Sequence, residues 1–150
     1  MAFYQKDLLS KNDLINLAAI IAAMERSTSG EIRVAIRKRR EWNEKKLSIA
    51  DLALKEFNRL GMHKTRDKTG VLIFLLLSEK IFHITADESI NKCMEGNAWK
   101  KIARDMSLEF SEGHFYGGLA DAVRAVGGYL KKYFPRRSDD ANELPNDILQ

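Results

Sequence analysis

The sequence predicts an α/β protein, a three-layer α/β/α sandwich around a small mixed sheet, with its elements in the order α-β-α-β-β-α-α. Residues 31–39, EIRVAIRKR, alternate apolar and polar side chains, as a strand with one buried face does. Residues 71–77, VLIFLLL, are apolar throughout, which is typical of a central strand covered on both faces. Segments with apolar residues at helical spacing flank both strands, so helices are expected on each side of the sheet.

The first helix is predicted over residues 10–29. Ser10 and Asp13 have the spacing of a capping box, with Asp in the place of the usual Glu or Gln. Gly30 follows and is expected to end the helix in the left-handed conformation. One face of this helix carries Leu14, Leu17, Ala18, Ile21 and Met24.

A second amphipathic helix is predicted over residues 44–60, ending at Gly61. Its buried stripe is expected to comprise Leu47, Ala50, Leu54 and Phe57. Its water-facing residues are expected to be Glu44, Lys45, Lys46, Lys55, Glu56 and Arg59. Because this helix joins two strands, the crossover is expected to be right-handed and the strands parallel.

The apolar run is followed by the short turn SEK and then by IFHITA, residues 81–86. Two strands so close along the chain form an antiparallel hairpin. A third helix is predicted from Ser89 or later to about Phe110, with Gly96 and Asn97 interrupting its start.

A last helix is predicted to end at Pro135, which cannot continue it. Gly127 and Gly128 lie inside this helix and cost about 1 kcal/mol each relative to Ala. We therefore expect the helix to pack closely against another element at these glycines. Its apolar face carries Leu119, Ala122, Val123, Val126, Leu130 and Phe134.

The chain has 150 residues, of which 45% are hydrophobic, and this fits one domain. We expect that domain to cover residues 1–135 and a flexible polar tail to cover residues 136–150. Cys93 is the single cysteine, so an internal disulfide is excluded. The longest apolar run is far shorter than a span of ~20 residues, and the first residues lack the pattern of a secretory signal. We expect a soluble, cytoplasmic protein without a membrane segment.

The net charge is +4, and the densest basic run is RKRR, Arg37–Arg40. Such a run is usually the solvated end of a strand, but it also suits contact with phosphates or an acidic partner. A nucleic-acid role ranks below the other interpretations, because the excess of positive charge is mild and no set of aromatic residues for base stacking is evident.

Acidic residues bracket the predicted hairpin. Asp67 precedes it, and Asp87 and Glu88 follow it. In a hairpin that turns near Glu79, Asp87 comes opposite the start of the first strand. If the strand that begins at Glu31 is parallel to that strand, its start shares the same edge of the sheet. The segments TSGE, DKTG and ADES are therefore expected to converge, with the hydroxyls of Thr28, Ser29, Thr69 and Ser89.

Clustered carboxylate and hydroxyl oxygens without His or Cys suit Ca²⁺ or Mg²⁺. The alternative is that these acids cap helices and satisfy turns at the edge of the sheet. The three histidines and the cysteine show no metal-binding spacing; they are His63, His83, His114 and Cys93.

Four stretches together resemble the TPM domain over roughly Ser10 to Pro135. They are TSGEIRVAI, DKTGVLIFLLLSEKIFHITADESI, the tryptophan at position 99, and EGHFYGGLADAVRAVGGYLKKYFP. That family includes a thylakoid lumen acid phosphatase of photosystem II repair. The resemblance implies an α/β/α sandwich and a divalent-cation site, often for calcium, made by acidic residues at one end of the sheet. Carried onto this chain, the metal ligands are Asp67 and Asp87, with Glu31 and Asp121 as additions.

Two functions follow from the residues and the resemblance. The first is a module that binds calcium or magnesium and a protein partner, with the RKRR edge and the loop HFYGG as contact surfaces. The alternative is a metal-dependent acid phosphatase of low activity, with Arg33 or Arg124 pairing with the phosphate. Because the sequence shows no nucleophile or general base, the catalytic residues and the question of an enzyme are left open.

Overall fold

The computed structural model describes residues 9–65 and 67–136. The helices and strands within these ranges are α1 (Lys11–Glu25), β1 (Glu31–Arg37), α2 (Ile49–Arg59), β2 (Gly70–Leu76), β3 (Ile81–Ala86), α3 (Glu88–Cys93), α4 (Gly96–Ser111) and α5 (Phe115–Tyr133). Three short 3₁₀ turns lie at Trp42–Glu44, Met62–Lys64 and Leu77–Glu79. The predicted tail, residues 136–150, lies outside the described residues except for Arg136. Within the described ranges, no helix is both long and apolar enough to cross a bilayer.

The three strands form one mixed sheet in the order β1-β2-β3. β1 and β2 are parallel, with Glu31 opposite Gly70. β2 and β3 are antiparallel, with Val71 opposite Ala86 and Leu76 opposite Ile81. The predicted parallel pairing of β1 with β2 and the predicted hairpin of β2 and β3 are both confirmed.

Helices cover both faces of the sheet. Val71, Ile73 and Leu75 of β2 pack in a core with residues of α1, α4 and α5. The alternate β2 residues Leu72, Phe74 and Leu76 pack in a second core against α2. Since β2 is buried on both faces, its uniformly apolar sequence is explained, and the three-layer α/β/α sandwich is confirmed.

The predicted third helix is wrong as a single element. α3 ends at Cys93, and α4 begins at Gly96. Met94 between them is extended, with ψ 131°, and its side chain packs into the core of α1, α4 and α5. The break therefore lies before Gly96, and the glycine begins the next helix.

The second helix also differs from its prediction. α2 begins at Ile49, because the Ser48 hydroxyl accepts a hydrogen bond from the Asp51 amide and caps it. Leu52, Ala53 and Phe57 form its buried face. The expected stripe is correct only at Phe57 and half-buried Leu47, because Ala50 is exposed and Leu54 is 48% exposed.

α1 has the predicted capping box, with Ser10 and Asp13 exchanging hydrogen bonds of 3.0 Å.

The connection from α1 to β1 lies against the end of α5. Gly30, however, does not have a left-handed backbone, because the glycines with positive φ are Gly61 and Gly113. Its role is close approach, since a Cβ there would lie 2.9 Å from Leu130 Cδ1.

Gly127 and Gly128 make a matched pair for a stability test. A Cβ at Gly127 would lie 2.7 Å from Met24 Sδ, whereas a Cβ at exposed Gly128 would meet nothing within 4 Å. We expect Gly128→Ala to raise the free energy of unfolding by about 1 kcal/mol through helix propensity. We expect Gly127→Ala to lower it by roughly 1–3 kcal/mol, because α1 must move away. Urea unfolding followed by circular dichroism measures both, and equal effects of the two substitutions would contradict this packing.

Candidate functional site

Three distant segments meet at the edge of the sheet where β1 and β2 begin. The Glu31 amide donates to the Thr69 carbonyl at 3.1 Å, and the Asp87 amide donates to the Gly70 carbonyl at 2.9 Å. The Ser89 hydroxyl donates to the Asp67 carbonyl at 2.8 Å. The chain around Asp67 thus lies against the chain around Asp87, as the hairpin geometry predicts. We call this region the acidic edge.

Asp87 caps α3 at the acidic edge. Its Oδ1 accepts a hydrogen bond of 2.8 Å from the Glu88 amide, so the expectation that it caps a helix is confirmed. Its second oxygen, Oδ2, is buried, and no hydrogen-bond partner for it exists in residues 9–65 and 67–136. A buried carboxylate oxygen without a partner is costly, and it suits a site for a cation or an ordered water.

Asp67 lies half-buried in the turn before β2. The next residue, Lys68, has φ 58°, a left-handed backbone that is uncommon for a residue other than glycine. The Ser89 hydroxyl holds this turn through the Asp67 carbonyl. The turn is therefore fixed to Ser89, two residues after Asp87.

Glu31 lies at the same edge, but its side chain is only 3% exposed and faces inward. Its carboxylate neighbours that of Glu25, which is 1% exposed at the end of α1. Glu25 Oε2 accepts a hydrogen bond of 2.8 Å from the Ile32 amide. Arg33, which is 3% exposed, adds a positive charge near this pair.

The pKa of Glu25 is raised to about 8, mainly by burial and further by the neighbouring Glu31, against the opposing effects of the Ile32 amide and Arg33. Glu25 therefore carries a proton near neutral pH and can donate it to Glu31. The sequence prediction did not include Glu25. Its signal was its position one helical turn after Ile21, on the face of α1 predicted to be buried.

Asp121 is not at the acidic edge. It is exposed in the second turn of α5 and pairs with Arg124 at 3.3 Å. The opposite end of α5 reaches the start of β1, where the Ser29 amide donates to the Phe134 carbonyl at 2.9 Å. Since a helix rises 1.5 Å per residue, roughly 18 Å of axis separates Asp121 from that end. Asp121 therefore does not join the other three acids.

The side chains as they stand form no group of three His, Cys, Asp or Glu that could enclose a metal ion, anywhere in the described ranges. A cation at the acidic edge would depend on Asp67 and Asp87 with hydroxyl, carbonyl and water oxygens.

A scan of family models matches residues 3–129 to the TPM domain. The chain belongs to the TPM domain family. The resemblance to the TPM domain found in the sequence is therefore confirmed.

Solved structures give the same result. The BA42 protein of the psychrophilic bacterium Bizionia argentinensis is similar over 99% of both chains, with 34% identity and a TM-score of 0.86. The N-terminal domain of a P. gingivalis protein is 20% identical over 87% of this chain and 81% of that one, with a TM-score of 0.69. The N-terminal domain of the cg2496 protein of Corynebacterium glutamicum is 13% identical over 95% and 90%, with a TM-score of 0.63. The last two show the fold alone. No curated protein matches this chain.

The basic run of this TPM domain lies at the other end of β1, and two of its four charges have internal partners. Arg37 donates to both oxygens of Glu44, at 2.6 and 3.2 Å. Arg40 donates to Glu79 at 2.6 Å. Lys38 and Arg39 are exposed. The simple interpretation as a solvated strand end is therefore correct only for the middle of the run.

Glu44 and Glu56 were expected to face water, and this is wrong. Glu44 is 1% exposed and Glu56 is 4% exposed. Glu44 accepts from Arg37 and Lys55, and Glu56 accepts from Arg59. The hydrogen bond from Arg37 is the largest effect that lowers the pKa of Glu44, to about 2. The physical reason is that β1 points Arg37 toward α2, where its charge requires carboxylate partners.

The loop HFYGG is largely folded into α5. Phe115 and Tyr116 are half-buried in its first turn. The Phe115 ring lies 5.3 Å from that of Phe110, which in turn lies 5.7 Å from Phe82. These rings line part of an apolar cleft of about 440 Å³ between the hairpin turn and the end of α4. The aromatic side chains therefore contribute to packing at this end of the TPM domain.

Proposed function

We propose that this TPM domain is a binding module that takes a divalent cation, calcium in preference to magnesium, at the acidic edge and engages a protein partner. Asp67 and Asp87 would be its carboxylate ligands. The observation that carries the proposal is the buried Asp87 Oδ2, which lacks a hydrogen-bond partner within the described residues. This oxygen belongs to a segment that hydrogen bonds to the Asp67 turn.

The available oxygens favour calcium. Calcium accepts six to eight oxygen ligands in irregular arrangements, including carbonyls and waters, whereas magnesium demands a near-ideal octahedron. Two carboxylates on turn and cap residues, with the Ser89 hydroxyl and water nearby, provide a loose set of this kind. Since only two charged ligands take part, we expect a dissociation constant on the order of 0.1–1 mM. Glu31 is not included, because its carboxylate faces Glu25.

The phosphatase alternative receives less support from the structure. A bound divalent ion could neutralise phosphate oxygens and acidify a water. Of the two arginines expected to pair with phosphate, Arg33 is only 3% exposed, and Arg124 pairs with Asp121 away from the acidic edge. The proposed function is therefore binding, and turnover is an outcome of its test.

Calorimetric titration with CaCl₂ and MgCl₂ tests the site. We expect Asp87→Asn and Asp67→Asn each to weaken calcium binding by at least about tenfold, because each removes one of two ligand charges. Asn remains a good helix cap, so α3 should keep its start in the Asp87→Asn protein. Asp121→Asn removes the same charge away from the acidic edge and should leave binding unchanged.

Equal heats in the parent and both edge variants, with their circular dichroism spectra unchanged, would remove the proposed site. The same proteins incubated with p-nitrophenyl phosphate decide between the two functions. Turnover that EDTA and Asp87→Asn both abolish would replace the binding module by the phosphatase.

A further inference from the structure

Trp42 is the most exposed large apolar side chain within the described residues, with 84% of its surface open to solvent. It lies in the 3₁₀ turn Trp42–Glu44, which follows the basic run at the end of β1. An exposed tryptophan buries a large apolar area when it meets a partner, and its N–H remains able to contact a polar one.

The turn that carries Trp42 is held from several sides. The Glu41 amide donates to Glu44 Oε1 at 2.8 Å, and the Glu44 amide donates back to the Glu41 carbonyl at 3.0 Å. Glu44 is anchored by Arg37 and by Lys55, the latter at 2.8 Å. The exposure of Trp42 is therefore a property of a fixed turn, and little backbone entropy is lost when it binds.

Exposed cations flank this tryptophan on both sides along the chain. Within residues 38–46, the exposed basic residues are Lys38, Arg39, Lys45 and Lys46. Glu41 is the exposed acid of this segment, because Glu44 is buried and its charge is balanced by Arg37. Lys38, Arg39, Trp42, Lys45 and Lys46, which we call the Trp42 surface, thus combine one exposed aromatic ring with four exposed positive charges.

We infer that the Trp42 surface docks on an anionic lipid bilayer. Tryptophan concentrates at the boundary between headgroups and acyl chains, where its ring is half in apolar surroundings and half in water. Lysine and arginine beside it would lie among anionic headgroups, and each such cation strengthens binding. A lone aromatic ring suits this use better than a path for single-stranded nucleic acid, which needs successive rings along a charged groove.

The polarity of the sheet supports the same orientation. β1 runs from Glu31 at the acidic edge to Arg37 beside the Trp42 surface. Seven residues of strand at 3.3 Å each place the two ends roughly 20 Å apart, about two and a half Debye lengths at physiological salt. A bilayer that attracts the Trp42 surface would therefore not contact the acidic edge of the same molecule. Docking through the Trp42 surface does not depend on metal binding at the acidic edge.

Tryptophan fluorescence and sedimentation with vesicles test it. In a Trp99→Phe background, the emission reports Trp42 alone. We expect a blue shift and sedimentation with vesicles of phosphatidylcholine and phosphatidylglycerol, neither with phosphatidylcholine alone, in buffer with EDTA. Lys45→Glu/Lys46→Glu should lower the bound fraction at least about tenfold. In the protein that retains Trp99, Trp42→Ala should lower it several-fold.

Lys92→Glu/Lys100→Glu is the matched control, because it makes the same change in net charge at exposed positions on α3 and α4. This variant should keep most of the binding. Equal losses in the two charge-reversal proteins would overturn the inference, since binding would then follow net charge alone. It would also be overturned if the anionic vesicles gave no shift, or if polyglutamate or an RNA oligonucleotide gave a shift and the vesicles did not.

Discussion

Replacing Glu44 by glutamine is expected to lower the free energy of unfolding by about 3 kcal/mol at pH 7. Glu44 is 1% exposed, and its two oxygens accept from Arg37, Lys55 and the Glu41 amide. Glutamine keeps the shape but turns an NH₂ group toward these donors and leaves Arg37 without its closest carboxylate. Urea unfolding followed by circular dichroism measures the loss.

Glu41→Gln is the control for that experiment. Glu41 also pairs with Arg37, but at 3.8 Å, and its side chain is 68% exposed, so we expect a change within about 0.5 kcal/mol. The pKa of Glu44 is lowered from 4.5 to about 2, so its contribution is complete above pH 4.5 and is lost as the pH falls toward 2. The difference in free energy of unfolding between the parent and Glu44→Gln should therefore become smaller as the pH falls from 4.5 to 2. A gap that stays constant down to pH 2 would show that the charge of Glu44 is not its cause.

Replacing Glu25 by glutamine is expected to stabilise the protein at pH 8 and to leave its stability almost unchanged at pH 4.5. Because the pKa of Glu25 is raised from 4.5 to about 8, the unfolded chain loses this proton first as the pH rises. The parent then loses stability by up to about 1.4 kcal/mol per pH unit between those values. Glutamine is neutral throughout, can accept from the Ile32 amide, and can donate to Glu31.

Unfolding free energies measured from pH 4.5 to pH 9 test this second prediction. The difference between Glu25→Gln and the parent should grow across the window and then level off. Glu112→Gln changes an exposed glutamate and should follow the parent throughout. Parallel curves for Glu25→Gln and the parent would mean that Glu25 titrates normally, as an exposed glutamate does.

The apolar pattern of the sequence was enough to predict the sheet. The uniform run from Val71 and the alternation around Ile32 predict two strands, so the parallel pair and the hairpin follow from them. The expectation that β1 has one buried face is wrong, because Glu31 and Arg33 on its other face are each only 3% exposed. The convergence of the chain near Asp67 and Asp87 follows from that topology. These features depend on the spacing of apolar residues and on the lengths of the connections, and both can be read from the sequence.

Buried charges were not predictable in the same way. A glutamate in an amphipathic helix is normally assigned to water, and only the three-dimensional fold shows that Glu44 and Glu56 lie under Arg37. Glu25 faces Glu31 for a similar reason, since the turn from α1 into β1 places the two carboxyl groups together. Asp121 was added to the site from the family resemblance alone, and no sequence pattern indicated where it lies. The structure places it in the second turn of α5, about 12 residues before the end of the helix that reaches the start of β1.

The contact between the segment after α1 and the end of α5 has a consequence for folding during synthesis. The Thr28 hydroxyl donates to the Leu130 carbonyl, 102 residues later, and Thr28 bridges Pro135. α1 and α5 lie over the same face of the sheet, so that layer is incomplete until α5 has been synthesised. A nascent chain that stops short of α5 exposes the apolar side of β1 and β2, which makes it a substrate for chaperones or for aggregation. The order of translation thus leaves the closing step of folding to the last helix.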